Sequence, residues 1–153
     1  MRYARKSTIA LVIALGLLSQ AQMCQNANHI RDAKKAAYRI QVVTDASIDT
    51  TATLFHDGVI DKAKTNQIAK VLLKINSGNK VLIDKAEAAT ADTPAVRSDL
   101  LAQLRTIEDA VKELKAAGVL GIKSKNGSLA FDSAISALDT SLALIQAALS
   151  GGK

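Results

Sequence analysis

The sequence has no tryptophan, a single proline, a single cysteine and two histidines among its 153 residues. The lone Cys24 excludes a disulfide within the chain, so stability must come from a packed core. Two histidines cannot build a usual zinc site, which needs several His or Cys ligands at fixed spacing. His29 lies near the start of a predicted helix. His56 lies at a predicted helix end, where an imidazole favours capping of the free carbonyl groups.

Sequence motifs of common enzymes are also missing. The chain contains no His-Glu-x-x-His, phosphate-binding loop, dinucleotide fingerprint, EF-hand loop or nucleophile elbow. Neighbouring carboxylates do occur, as Glu108 with Asp109 and as Asp57 with Asp61. They stand among lysines and arginines on predicted exposed faces, which favours solvated charges over an acid–base pair. We therefore predict a protein that is not an enzyme and that holds no cofactor or metal.

Aromatic residues make up only 3% of the chain, and after residue 21 they are Tyr38, Phe55 and Phe131. Small and aliphatic side chains must fill the core, and this composition favours helices that lie close together.

The start of the chain has the three parts of a secretory signal, predicted over residues 1–21. Three cations in residues 1–6 precede an uncharged apolar run over residues 9–18. A helix that spans a membrane needs about 20 apolar residues, so the run is too short for a permanent anchor. The pattern predicts an exported protein, periplasmic or extracellular, that meets a membrane only through an uncleaved signal or a lipid anchor.

Two cleavage sites compete. Ser19 and Ala21 provide the small side chains that signal peptidase requires, which places the cut between Ala21 and Gln22. The alternative is bacterial lipoprotein processing, with acylation of Cys24 as the first mature residue. The bulky Gln22 and Met23 just before Cys24 depart from the small residues of that signal. A third alternative for Cys24 is a disulfide with another chain.

Charge does not indicate nucleic-acid binding. The full chain carries 20 Lys and Arg against 14 Asp and Glu, a net charge of +6. Residues 1–21 hold three of the cations and no carboxylate, so 17 against 14 remain, or +3. These charges alternate in sign along the chain, as on a solvated helix face.

Four segments repeat apolar residues at spacings of three and four, the period of a helix with one buried face. They cover about residues 28–56, 61–90, 93–118 and 129–149. The stripes are Ile30, Ala33, Ala37, Ile40, Ser47, Thr51 and Leu54; Ile68, Leu72, Ile75, Asn79, Leu82, Ala86 and Ala89; Leu100, Leu104, Ile107, Val111 and Leu114; and Phe131, Ile135, Leu138, Leu142, Ile145 and Leu149. The first segment is rich in β-branched residues, but it has no strand-like alternation.

Breakers separate the segments. Pro94 suits the first position of the third helix. Glycines are expected to end three helices in a left-handed conformation, at Gly58, at Gly118 and at residues 151–152. The intervening connections are short, which places consecutive helices antiparallel. The expected fold is all-α: an up-down bundle of about four helices, preceded by an N-terminal signal helix, with a short flexible tail at 22–27 and a single domain at 28–150.

The fourth segment has only two charged residues, Asp132 and Asp139, between residues 129 and 149. This predicts a central helix, buried on several sides. Asn126 or Ser128 would cap it, which we favour over use of residues 126–128 as a glycosylation acceptor.

Asn79 is the one amide on a predicted core stripe. A buried Asn in a helical seam can set register or partner number at a cost in stability, so Asn79 is expected to be a register-setting buried polar residue. The alternative interpretation is that the helix bends near Ser77 and Gly78.

Together these features predict an exported, non-enzymatic helical bundle with a structural or binding role in the cell envelope and an unknown protein partner. One alternative is a lipid-anchored envelope protein acylated at Cys24. Another is a carrier that holds an apolar small molecule among Phe131, Ile135, Leu138 and Leu142.

Overall fold

The computed structural model describes residues 28–119, 122 and 125–151, and it is helical through almost all of them. The helices are α1 (His29–His56), α2 (Lys62–Ala88), α3 (Pro94–Val119) and α4 (Lys125–Leu149). No strand occurs in the described ranges, and the all-α prediction is confirmed. The predicted signal over 1–21, the cut between Ala21 and Gln22, and Cys24 lie outside the described residues.

The helices form a closed ring in which each packs against two others. α1 contacts α2 and α4, and α3 contacts the same two helices. Lys74 of α2 pairs with Glu113 of α3 at 2.7 Å, while Lys85, further along α2, pairs with Asp99 near the start of α3. Increasing residue numbers on α2 thus meet decreasing numbers on α3, so these two helices run antiparallel.

The predicted stripes form the core of this ring. All their residues are buried except Ala89, which follows α2 and is half-buried. The expectation that the fourth helix would be central was wrong. The outward face of α4 is poor in charge, but exposed small and polar residues, such as Ser133, Ser136 and Ala143, form it. Low charge alone therefore did not mean burial.

Side chains and one glycine set the ends of α1 and the start of α2. The Oδ1 of Asn28 accepts the Arg31 backbone N–H at 2.9 Å. Gly58 has a φ of 69°, and the N–H of Val59 reaches back to the Leu54 carbonyl at 2.9 Å. This is a Schellman ending that favours glycine, as expected. Asp61 then caps α2 by accepting the Lys64 N–H at 2.8 Å.

The connection between α3 and α4 is shorter than the sequence suggested. Gly118 does not end α3, which continues through it to Val119, and α4 already begins at Lys125, ahead of the expected caps Asn126 and Ser128. A glycine permits the left-handed conformation without requiring it, and the contacts of the last turn decide. Here the Lys64 ammonium donates to the Ala117 carbonyl and ties that turn to α2. At the other end of α4, Gly151 has a φ of 68°, as expected.

Among the described residues, one stretch has the length and composition of a membrane span. Ser128–Leu149 reaches a mean hydropathy of 1.3, with 39% of its most apolar window buried in the bundle. The core helix of a bundle meets the same test. In this bundle its apolar stripe, from Phe131 to Leu149, lies in the core against α1 and α3.

Candidate functional site

The outer surface between α2 and α3 carries a shallow groove with an apolar character, which we call the α2–α3 groove. Its small and apolar lining residues are Ala69, Leu73, Ser77, Gly78, Val81 and Ala110. Leu73 is 61% exposed and Val81 40% exposed, although both are large aliphatic side chains. They lie eight residues apart and therefore on related faces of α2. Exposed aliphatic residues gathered in a groove are typical of a contact surface for another molecule.

At Gly78, which lines the groove, α2 lies close to α3. A Cβ added at Gly78 would lie 3.2 Å from the Cγ1 of Ile107. The amide Nε2 of Gln103 donates to the Gly78 carbonyl at 3.0 Å. The lack of a side chain at Gly78 thus permits the approach, and the Gln103 contact holds the two helices beside each other. The groove consequently rests on rigid helices rather than on loops.

The two sides of the groove carry opposite charges. Lys70 and Lys74 line it from α2, and Asp109 and Glu113 line it from α3. The Lys74 Nζ lies 2.7 Å from the Glu113 Oε2 across the groove. Lys70 makes no ion pair within the described ranges. Half-exposed ion pairs contribute little to stability by themselves, but a pattern of opposite charges can orient a partner.

Asp109 also pairs with Lys112, one turn along α3, at 2.9 Å. The hydrogen bond from Lys112 to Asp109 raises the pKa of this ammonium group, and the Asp109 charge adds to the effect. The acidic side of the groove is therefore partly neutralised at Asp109, whereas the one ion pair of Glu113 within the described ranges is that with Lys74 on the opposite side.

Asn79, the predicted register residue, is buried between α1 and α2. Its Nδ2 donates to the Ala37 carbonyl at 2.9 Å. Its Oδ1 is also buried and has no hydrogen-bond partner among the described residues. The amide thus makes one contact across the α1–α2 interface and leaves one acceptor unsatisfied.

The two histidines lie at opposite ends of α1. The backbone N–H of His29 donates to the Asp92 carboxylate at 3.0 Å. The ring of His56 lies exposed, 3.8 Å from the Asp57 Oδ1. Asp57 and Asp61 are exposed, and Asp61 serves as the α2 cap. Within the part of the chain that the structure describes, no three His, Cys, Asp or Glu side chains group as metal ligands would.

The proposed lining of a small-molecule carrier belongs to the core. Phe131, Ile135, Leu138 and Leu142 are all buried in the cluster that the four helices share. None of the four lines the α2–α3 groove or the two grooves at the end of the bundle near His29. Ordinary packing accounts for this stripe.

The sequence reasoning missed the α2–α3 groove. A signal for it was present in the second segment, where Leu73 and Val81 are aliphatic residues off the core stripe. Off-stripe residues of this kind are not diagnostic by themselves, because Val71 and Ile83 on the same helix are buried. Only the positions of the neighbouring helices separate the covered pair from the exposed pair.

No protein family model, curated protein sequence or solved structure matches this chain.

Proposed function

We propose that this protein is an exported, non-enzymatic helical bundle of the cell envelope that binds a protein partner through the α2–α3 groove. The observation that carries the proposal is the exposure of Leu73 and Val81 in a groove with one basic and one acidic side. An apolar centre between polar edges is the usual anatomy of a protein interface.

Export is supported by the residue pattern at the start of the chain. The cationic head, the apolar run over residues 9–18 and the small residues Ser19 and Ala21 are those of a secretory signal. In this proposal the signal is removed after Ala21, and the short tail at 22–27 leads into α1. Acylation at Cys24 is the second form of the proposal, in which the same bundle is tethered to a membrane.

The mass of the intact protein from its native host, measured separately on soluble and membrane fractions, tests the export proposal. We expect a soluble envelope species that begins at Gln22. A membrane species that begins at Cys24 with added acyl mass would support the tethered form instead. A cytosolic species that retains residues 1–21 would contradict export in both forms.

A second readout of the same sample addresses the carrier alternative. Native mass spectrometry would show an apolar ligand bound at one per chain if the core held cargo. We expect the mass of the protein alone, because the Phe131–Leu142 stripe packs against the other helices.

A further inference from the structure

We infer that the occupant of the α2–α3 groove is a second copy of this chain, bound so that α2 of each copy lies over α3 of the other. This inference rests on the proposal that the groove is a binding surface, and it names the partner. Its basis is the separation of charge between the two sides of the groove, cations on α2 and carboxylates on α3.

A two-fold rotation about an axis along the groove brings these sides into register. Lys74 and Glu113 pair at 2.7 Å and therefore lie at the same height in the bundle. The rotation keeps that height and exchanges the sides, so Lys74 of each copy faces Glu113 of the other. Such an interface is self-complementary, as a two-fold dimer requires.

The position of Lys70 also supports this arrangement of the two copies. It lies one turn from Lys74 on α2 and has no ion pair within the described ranges. In the dimer it lies within reach of the second copy's Glu113. Each Glu113 carboxylate then meets Lys74 of its own chain and both Lys70 and Lys74 of the other copy.

The apolar part of the groove is complementary in the same way. Leu73 and Val81 project from α2, whereas the α3 side presents the small side chains of Thr106 and Ala110. The rotation sets the large residues of one copy against the small residues of the other. Leu73 and Val81, which are exposed in the single chain, would be covered in the dimer.

The N-terminal segment of the same chain fits the groove less well. Residues 1–21 carry three cations and no carboxylate. They could match the acidic side of the groove but not the basic side. A second copy matches both sides at once.

Analytical ultracentrifugation of the processed protein, with a reductant present so that Cys24 cannot link chains, tests the inference. We expect a reversible monomer–dimer equilibrium within about 1–500 µM, the range of a modest interface. Leu73→Glu should raise the dimer dissociation constant by about 100-fold or more, as loss of a central apolar contact does. Leu129→Glu is the matched control, because Leu129 is 55% exposed and lies outside the groove.

A charge exchange tests the geometry itself. The double variant Lys70→Glu/Lys74→Glu has two acidic sides, and Asp109→Lys/Glu113→Lys has two basic sides. Each should be monomeric alone, and an equimolar mixture should form a heterodimer, because α2 of each chain then faces an opposite charge.

A processed protein that stays monomeric over the whole range, or a dimer that Leu73→Glu leaves intact, would overturn the inference. So would a mixture of the charge variants that fails to associate. The outcome does not depend on where the protein resides, so failure here and failure of the export proposal are separate results.

Discussion

At the scale of single residues, Asn79 is a buried polar side chain that makes one hydrogen bond and leaves one acceptor without a partner among the described residues. It occupies a stripe position of α2 where aliphatic residues stand on either side, and it is only 1% exposed. The Ala37 carbonyl that it contacts lies inside α1, where the helical N–H four residues on also reaches it. The Asn79 contact is therefore an added bond, while the unpartnered Oδ1 carries the cost of desolvation. We propose that the gain is register between α1 and α2.

We predict that Asn79→Leu raises the free energy of unfolding by about 1–2 kcal/mol, because it removes a buried unsatisfied acceptor and adds apolar contact. Leucine has the same branching as asparagine, so the change in shape is small. Chemical denaturation followed by circular dichroism measures the effect. Gln67→Leu, at an exposed position of α2 outside the α2–α3 groove, should stay within about 0.5 kcal/mol of the parent. A less stable Asn79→Leu would mean that the amide is satisfied in solution.

At the scale of elements, α1 accommodates its buried threonines and serine because their hydroxyl groups hydrogen-bond to the backbone of the same helix. Thr44, Ser47 and Thr51 lie on its buried face, and each hydroxyl donates to the carbonyl four residues earlier at 2.7 Å. The hydroxyls are thereby satisfied without a partner on another helix. α4, which packs against α1, also buries small side chains, namely Ala134, Ala137 and Ser141.

The α1–α2 pair is also tied at its surface. The Tyr38 hydroxyl donates to the Glu87 Oε1 at 2.8 Å, and the Lys34 Nζ lies 3.3 Å from the same oxygen. The Tyr38 hydrogen bond, followed by that of Lys34, holds the pKa of Glu87 below its ordinary value. The same bond to Glu87 raises the pKa of Tyr38.

The directions of these two pKa shifts define the pH range in which the Tyr38–Glu87 contact stabilises the fold. Because the pKa of Glu87 is lowered in the folded state, its contribution is present above about pH 4.3, the ordinary pKa of glutamate, and is lost as the pH falls through the lowered value. Because the pKa of Tyr38 is raised, its contribution is present below about pH 10 and is lost as the pH rises through the raised value.

We predict that Tyr38→Phe raises the pKa of Glu87 toward its ordinary value, because the main donor to the carboxylate is gone. An NMR titration of the Glu87 carboxyl carbon measures the shift. Val42→Ala, one turn along the same exposed side of α1, serves as the control and should leave the pKa of Glu87 unchanged. An unchanged pKa in Tyr38→Phe would show that the two helices do not hold this contact in solution.

At the scale of the whole molecule, all four helices share one apolar cluster. The cluster includes the stripe of every helix, and half-buried residues such as Ile48 and Ile122 pack against it. Removal of any one helix would expose the facing stripes of its two neighbours in the ring. Such mutual dependence favours unfolding in a single step.

We predict coincident transitions when unfolding is followed by helical circular dichroism and by tyrosine fluorescence. Tyr38 is the only tyrosine after residue 21, so in the processed protein its emission reports the α1–α2 contact alone. The two midpoints should agree within error, as two-state unfolding requires. An earlier fluorescence transition would indicate that this end of the bundle opens on its own. Tyr38→Phe provides the baseline.

The sequence by itself determined the number of helices and the buried face of each. Spacings of three and four specify which side of a helix avoids water whatever its neighbours are, and all but one of the stripe residues are buried. Local chemistry likewise set the ends at Gly58 and Gly151, because a Schellman or left-handed ending depends on residues near in sequence.

Only the tertiary structure decided which helices became neighbours and what they left uncovered. The order of the helices in the ring leaves the outward face of α4 exposed to solvent. It buries Val71 and Ile83 of α2 and exposes Leu73 and Val81 of the same helix. The contacts of its last turn let α3 continue through Gly118. These outcomes depend on contacts between residues far apart in the chain, such as Gly78 against Ile107. A periodic pattern identifies the buried face of one helix, but it does not identify the residues of another helix that pack against that face.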